Sequence, residues 1–137
     1  MMKHQVTPYL TFDGKAKEAL DYYKEVFAAE IVAVQTYGEA DYPTPPEAEN
    51  RIMYAQFKKN DFTIMVSDGF PDQPVTIGSN ISLALELESD EEIDSLYGKL
   101  TQKGHALMEL QDTFWGAKFA KVQDPYGVIW DLNFQKS

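Results

Sequence analysis

In NISLALELESDEEIDSLYGKLTQKG, residues 80–104, a strand, a helix start and a helix stop follow one another without interruption. From Asn80 to Leu87 the residues alternate, with Leu83, Leu85 and Leu87 to one side and Ser82, Ala84 and Glu86 to the other, the period of a half-buried strand. Ser89 to Glu92 reads as a capping box, in which the hydroxyl and the carboxylate each satisfy a free N–H at the helix start. Ile93, Leu96, Tyr97 and Leu100 then form one apolar helical stripe, and Gly104 suits the C′ position. Three β runs follow, His105 to Leu110, Ala117 to Gln123 and Val128 to Phe134.

The residues before this stretch give the same order. Gln5 to Phe12 reads as a strand that ends at the turn pair Asp13-Gly14. Ala16, Ala19, Leu20, Tyr23 and Phe27 recur at helical spacing, with Lys17, Asp21 and Lys24 on the opposite side. Ile31 to Tyr37, Arg51 to Lys58 and Phe62 to Ser67 are β runs; the acidic, proline-rich segment 39–50 between the first two reads as a solvated loop that can also serve as a gate. Residues 5–67 and 80–134 are thus two copies of one βαβββ module joined by the loop 68–79, within a single domain spanning 1–137. The fold class is α+β, and the arrangement that covers both sheets is a pair of curved half-sheets around a cleft, helices outside.

Composition narrows the function classes. A net charge of −10 opposes binding to nucleic acid or to anionic membrane surfaces and favours a cationic guest over an anionic one. The absence of cysteine removes disulfides, thiolate metal sites and cysteine nucleophiles, and is compatible with a reducing cytoplasm. No apolar run reaches the roughly 18 residues of a membrane span, and the first residues carry no apolar leader, so a cytoplasmic protein is expected. His4 reads as exposed ahead of the first strand, and His105 as a capping or surface residue; no Ser-His-Asp order accompanies them.

DPYGVIWDLNF, residues 124–134, holds one carboxylate in the middle of a strand. Pro125 and Gly127 suit a three-residue hairpin loop with a glycine bulge. That loop pairs Asp124 with Val128 and places Lys121 across from Asp131. Trp130, Leu132 and Phe134 then share a helix-covered face with Val122 and Ala120, whereas Asp131 and Lys121 lie on the other face beside Trp115, Ala117, Phe119, Ile129 and Asn133. Two readings stand: a plain cross-strand ion pair, or a pair of polar anchors in the cleft. The sequence shows nothing that would make Asp131 a general base. Trp115 and Phe119 are either packing residues or a stacking platform, Phe114-Trp115 a lid edge, and Tyr9, Tyr54 and Met65 cleft-lining residues.

TPYLTFDGKAKEALDYYKEVF, RIMYAQFKKNDFTIMVSD and WGAKFAKVQDPYGVIWDL together resemble the PhnB-like branch of the vicinal oxygen chelate superfamily, the glyoxalases, bleomycin-resistance proteins and dioxygenases. The resemblance implies the glyoxalase/bleomycin-resistance-like fold and a homodimer. It also implies metal-ligand positions, which fall at about Pro8, Met65, Ser82 and Asp131. Those side chains offer a divalent ion one carboxylate, so no metal and no other cofactor is expected. A methyltransferase label sometimes given to this branch finds no glycine-rich turn of the kind that holds a nucleotide-like cofactor. The leading expectation is a metal-independent small-molecule binding protein whose ligand-contacting residues are Tyr9, Tyr54, Met65, Ser82, Trp115, Phe119, Lys121 and Asp131. The alternatives are a metal-dependent lyase, isomerase or dioxygenase with an atypical ligand set, and a structural or regulatory dimer whose cleft is filled.

Overall fold

The structure, a computed structural model, describes residues 5–41 and 43–136 of the 137-residue chain; the expectation for His4 lies outside the described residues. The elements run β1 (Tyr9–Phe12), α1 (Ala16–Phe27), β2 (Glu30–Thr36), β3 (Ile52–Lys59), β4 (Phe62–Asp68), β5 (Leu83–Leu87), α2 (Asp90–Lys103), β6 (His105–Asp112), β7 (Ala117–Gln123) and β8 (Ile129–Gln135), with a 3-10 turn at Pro46–Ala48. This is the βαβββ order twice over, in two four-stranded sheets. The chain divides into two compact units, Met1–Thr76 and Ile77–Ser137.

In unit 1 the strands lie in the order β1-β4-β3-β2. β1 is parallel to β4, as a strand must be when a helix carries the chain back across the sheet, and the other neighbours are antiparallel. All the stripe residues of α1 are buried, and Tyr22 and Val26 are buried with them, so the helix sinks a wider face than its spacing announced. Against that face Tyr23 stacks on Phe57 with ring centroids 4.9 Å apart. Lys15, ahead of the helix, offers no side-chain cap. A residue far along the chain supplies one: Asp68 accepts the Ala16 N–H at 3.0 Å through Oδ1 and the Ile52 N–H at 2.9 Å through Oδ2. In the mostly exposed acidic segment, Ala48 is fully buried, and the Gly38 N–H bonds to the Glu49 carbonyl at 2.9 Å.

Unit 2 repeats the arrangement as β5-β8-β7-β6, with β5 parallel to β8. Ile93, Leu96 and Leu100 of α2 are buried, as are Ala120, Val122, Trp130 and Leu132 on the strands that α2 packs against. Ser89 caps α2 by accepting the Glu92 N–H at 3.1 Å, but Glu92 reaches past Ser89 to accept the Glu88 N–H at 2.8 Å. Gly104 follows the helix with φ −98°, outside the left-handed region expected of a C′ glycine. Its smallness is needed for another reason: a Cβ there would lie 2.3 Å from the Gln123 carbonyl oxygen and 2.8 Å from that of Leu100.

The 124–128 turn has the expected geometry. The Asp124 N–H bonds to the Val128 carbonyl at 2.8 Å, and Gly127 has φ +96°. Asp124 does more than open the turn. Its buried carboxylate accepts the N–H groups of Tyr126 and Val128 and, through Oδ2 at 2.9 Å, the indole N–H of Trp130.

Two strands begin later than their sequence patterns. β5 starts at Leu83 rather than Asn80, because its partner β8 starts only at Ile129. β1 starts at Tyr9 rather than Gln5, behind Pro8, which has no N–H to give to a ladder.

Candidate functional site

Each sheet has one face under its helix and one face free of it, and the pleat assigns residues to these faces by alternation. On the helix-free face of unit 2, β7 and β8 place Lys121 opposite Asp131, the register counted from the turn. Lys121 Nζ stands 2.8 Å from Asp131 Oδ1. Asp131 Oδ2 accepts a hydrogen bond from the Ser82 hydroxyl at 2.7 Å. The carboxylate is the deeper partner, its side chain 19% exposed against 31% for the lysine. Oδ1 itself is buried and receives no aligned hydrogen bond, so the ammonium meets it as an opposite charge rather than as a directed donor. Ser82, one of the expected ligand-contacting residues, bonds Asp131 through its hydroxyl only because β5 lies beside β8, a pairing of residues 49 apart.

Phe119 stands two residues before Lys121 and shares its face. Trp115 reaches it from the β6–β7 loop, with ring centroids 6.4 Å apart and planes at 66°. That loop closes on itself: Thr113 Oγ1 accepts the Ala117 N–H at 3.0 Å, and Gly116 has φ +83°. Phe114 at its tip is 97% exposed and meets Trp115 edge to face.

On the helix-free face of unit 1, Tyr9 is level with Met65, and Met65 with Gln56. Tyr54 lies two residues before Gln56, its ring centroid 6.3 Å from that of Tyr9, and its phenolic oxygen accepts a hydrogen bond from the Gln56 amide. The two registers superpose residue for residue. Met65 between Tyr9 and Gln56 matches Asp131 between Ala84 and Lys121. Two places before Ala84 stands Ser82, and two places before Tyr9 stands Thr7. The counterpart of Ser82 is therefore Thr7, one residue from the position at Pro8 obtained by spacing alone.

The structure thus gathers Ser82, Lys121 and Asp131 into contact and sets Phe119 and Trp115 beside them. It gathers Tyr9, Tyr54 and Met65 on the other sheet. A divalent cation does not fit the donors at these positions. Met65 offers a thioether, Thr7 and Ser82 offer hydroxyls, and the one carboxylate has a hydroxyl on Oδ2 and an ammonium 2.8 Å from Oδ1, where a cation would be repelled. Among the described residues no cluster of three His, Cys, Asp or Glu side chains is placed to hold an ion. His105 is exposed at the start of β6.

Residues 4–133 match the sequence profile of a family described as 3-demethylubiquinone-9 3-methyltransferase. Among solved structures, the protein PA1353 from Pseudomonas aeruginosa is 31% identical with a TM-score of 0.87, the match covering 98% of this chain and all of that one. The PhnB protein from Bacillus cereus is 34% identical with a TM-score of 0.81, over 96% of this chain and 99% of that one. A glyoxylase/bleomycin resistance protein/dioxygenase domain from Frankia has a TM-score of 0.72 at 12% identity, over 100% of this chain and 95% of that one, and shares the fold alone. The two sheets, their twin βαβββ order and the profile agree: the chain belongs to the PhnB-like family that this profile describes, and it has the fold of a glyoxylase/bleomycin resistance protein/dioxygenase domain.

Proposed function

We propose that this chain is a metal-independent small-molecule binding protein of the cytoplasm, acting as a homodimer, whose ligand contacts come from the helix-free faces of its sheets. The contacting residues in this reading are Tyr9, Tyr54 and Met65 in unit 1 and Ser82, Trp115, Phe119, Lys121 and Asp131 in unit 2. One observation carries it. At the position where metal-dependent relatives would place a ligand, Asp131 is held by a hydroxyl and an ammonium of its own unit. Around that pair are aromatic side chains, and a face that combines apolar rings with a few fixed polar groups is the usual make-up of a small-molecule site. The methyltransferase activity in the family's description is not carried over, because the strand–helix turns are Asp13-Gly14-Lys15 and Glu88-Ser89, neither of them glycine-rich.

A thermal-shift screen of neutral, cationic and anionic small molecules, run with elemental analysis and light scattering, tests the reading. The expected results are substoichiometric metal, a dimeric mass, and stabilisation by at least one compound, about 2.7 kcal/mol at roughly a hundredfold excess over its Kd. Stoichiometric zinc, nickel, manganese or iron, or no stabilisation by any class, would overturn it.

A further inference from the structure

We propose that the helix-free face of unit 2 takes a neutral aromatic carbonyl compound, its ring against Trp115 and Phe119 and its carbonyl oxygen accepting a hydrogen bond from the Lys121 ammonium. This rests on the small-molecule-binding reading of the same face and adds the ligand's chemical class to it.

Net charge alone favours a cationic guest. The local geometry reverses that preference. A cation would need Asp131, whose Oδ1 is buried with the ammonium of Lys121 2.8 Å away and whose Oδ2 already receives the Ser82 hydroxyl. Lys121 is the more exposed partner. An ammonium has three N–H donors, and among the described residues Asp131 is the single partner of Lys121, so donors remain for an acceptor.

The pair sums to zero charge, which leaves no surplus positive charge to hold a full anion against the −10 of the whole chain. The remaining N–H groups of Lys121 can still donate to an acceptor without formal charge. The neighbouring rings specify the remainder. Phe119 follows the same strand face two residues before Lys121, and Trp115 meets it at 6.4 Å while staying 51% exposed, so indole surface beside Phe119 is open to a flat apolar group. A flat ring bearing one carbonyl oxygen answers both features together.

The two tryptophans supply the readout. Trp130 is fully buried with its indole N–H on Asp124, whereas Trp115 is half-exposed on the proposed face. Their indole N–H signals in nitrogen-15-labelled protein therefore report separately, and Trp115→Phe assigns them. The probes are acetophenone, benzoate and benzyltrimethylammonium, one ring with three charges. Acetophenone is expected to move the Trp115 signal saturably and leave that of Trp130 in place. Lys121→Met is expected to weaken acetophenone about tenfold or more, the scale of a lost hydrogen bond to a charged group. Phe119→Leu, which leaves the ion pair intact, is expected to weaken it as well. The Trp130 signal checks the fold of each variant, and Phe119→Leu carries the test should Lys121→Met fail to fold. Tighter binding of benzoate or benzyltrimethylammonium, or acetophenone affinity untouched by both substitutions, overturns the ligand class and leaves the binding reading standing. No response to any of the three overturns both.

Discussion

At matching positions of the two sheets, unit 1 carries Met65 beside Gln56 and unit 2 carries Asp131 beside Lys121. The backbones around these pairs share one register shift at matching places. β2 slips register between Val32 and Gln35, opposite Gln56 and Tyr54; β6 slips between Met108 and Gln111, opposite Lys121 and Phe119. The faces under the helices agree in kind, with Ala55, Phe57, Ile64 and Val66 buried in one unit and Ala120, Val122, Trp130 and Leu132 in the other. The matched pairs on the helix-free faces do not agree: Met65 and Gln56 are neutral, whereas Asp131 and Lys121 form an ion pair. Apolar burial fixes the frame, and the face outside that constraint is where the chemistry diverges.

The units also differ in where each uses a buried carboxylate, and here the largest effect is expected. Asp68 joins the start of α1 to the start of β3, two backbone N–H groups from distant segments, whereas Asp124 gathers three donors within its own hairpin. Asp124→Ala removes the buried carboxylate that accepts the Trp130 indole N–H and two backbone N–H groups, and should cost about 3 kcal/mol, read as a lowered urea midpoint. Asp68→Ala should cost about 2 kcal/mol and should also raise amide exchange at the first turn of α1. A larger loss from Asp68→Ala than from Asp124→Ala would break the comparison.

Much of this frame was legible in the chain because it rests on local signals. The stripe of α1, the Ser89 cap, the 124–128 turn and the opposition of Lys121 to Asp131 all follow from spacings within one or two elements. What spacing could not supply depends on long-range pairing. Asp68 at the end of β4 looks like a turn residue until α1 is laid across the sheet. Ser82 finds Asp131 only once β5 lies along β8, and Thr7 is seen as its counterpart only when the parallel registers are compared. Gly104 was legible as a helix stop but not as a glycine demanded by the Gln123 carbonyl, a contact between segments nineteen residues apart by number, 123 − 104.

If the frames are equivalent, the contents of one face should be transferable to the other. Met65→Asp alone places a half-buried charge beside a neutral amide in unit 1, and should destabilise by about 1–2 kcal/mol. Adding Gln56→Lys restores the cross-strand opposition found in unit 2 and should recover about 0.2–1 kcal/mol of that loss, measured as the coupling in a double-mutant cycle. Zero or unfavourable coupling would mean that matched registers do not bring the two side chains together, and the equivalence would fail at the side-chain level.

The smallest effect belongs to the helices. In unit 2, Lys118 reaches from β7 to α2 and meets Asp94 at 2.6 Å and Asp90 at 3.3 Å. Counting along the matched strands, the corresponding position in unit 1 is Met53, which offers α1 no such tether. The hydrogen bond to Asp94 chiefly, with that to Asp90, holds the Lys118 pKa above its ordinary 10.5. A pKa raised by folding means that the tether contributes fully below 10.5 and is lost as pH rises through the higher folded value. Because the pair is solvent-screened, Lys118→Met should lower the melting temperature only slightly, and less in high salt. The gap between wild type and variant should stay constant up to pH 10.5 and close above it. A gap that widened with alkalinity, or one insensitive to salt, would show that Lys118 holds α2 through its aliphatic stem rather than its charge, making the two helices alike in how they are held.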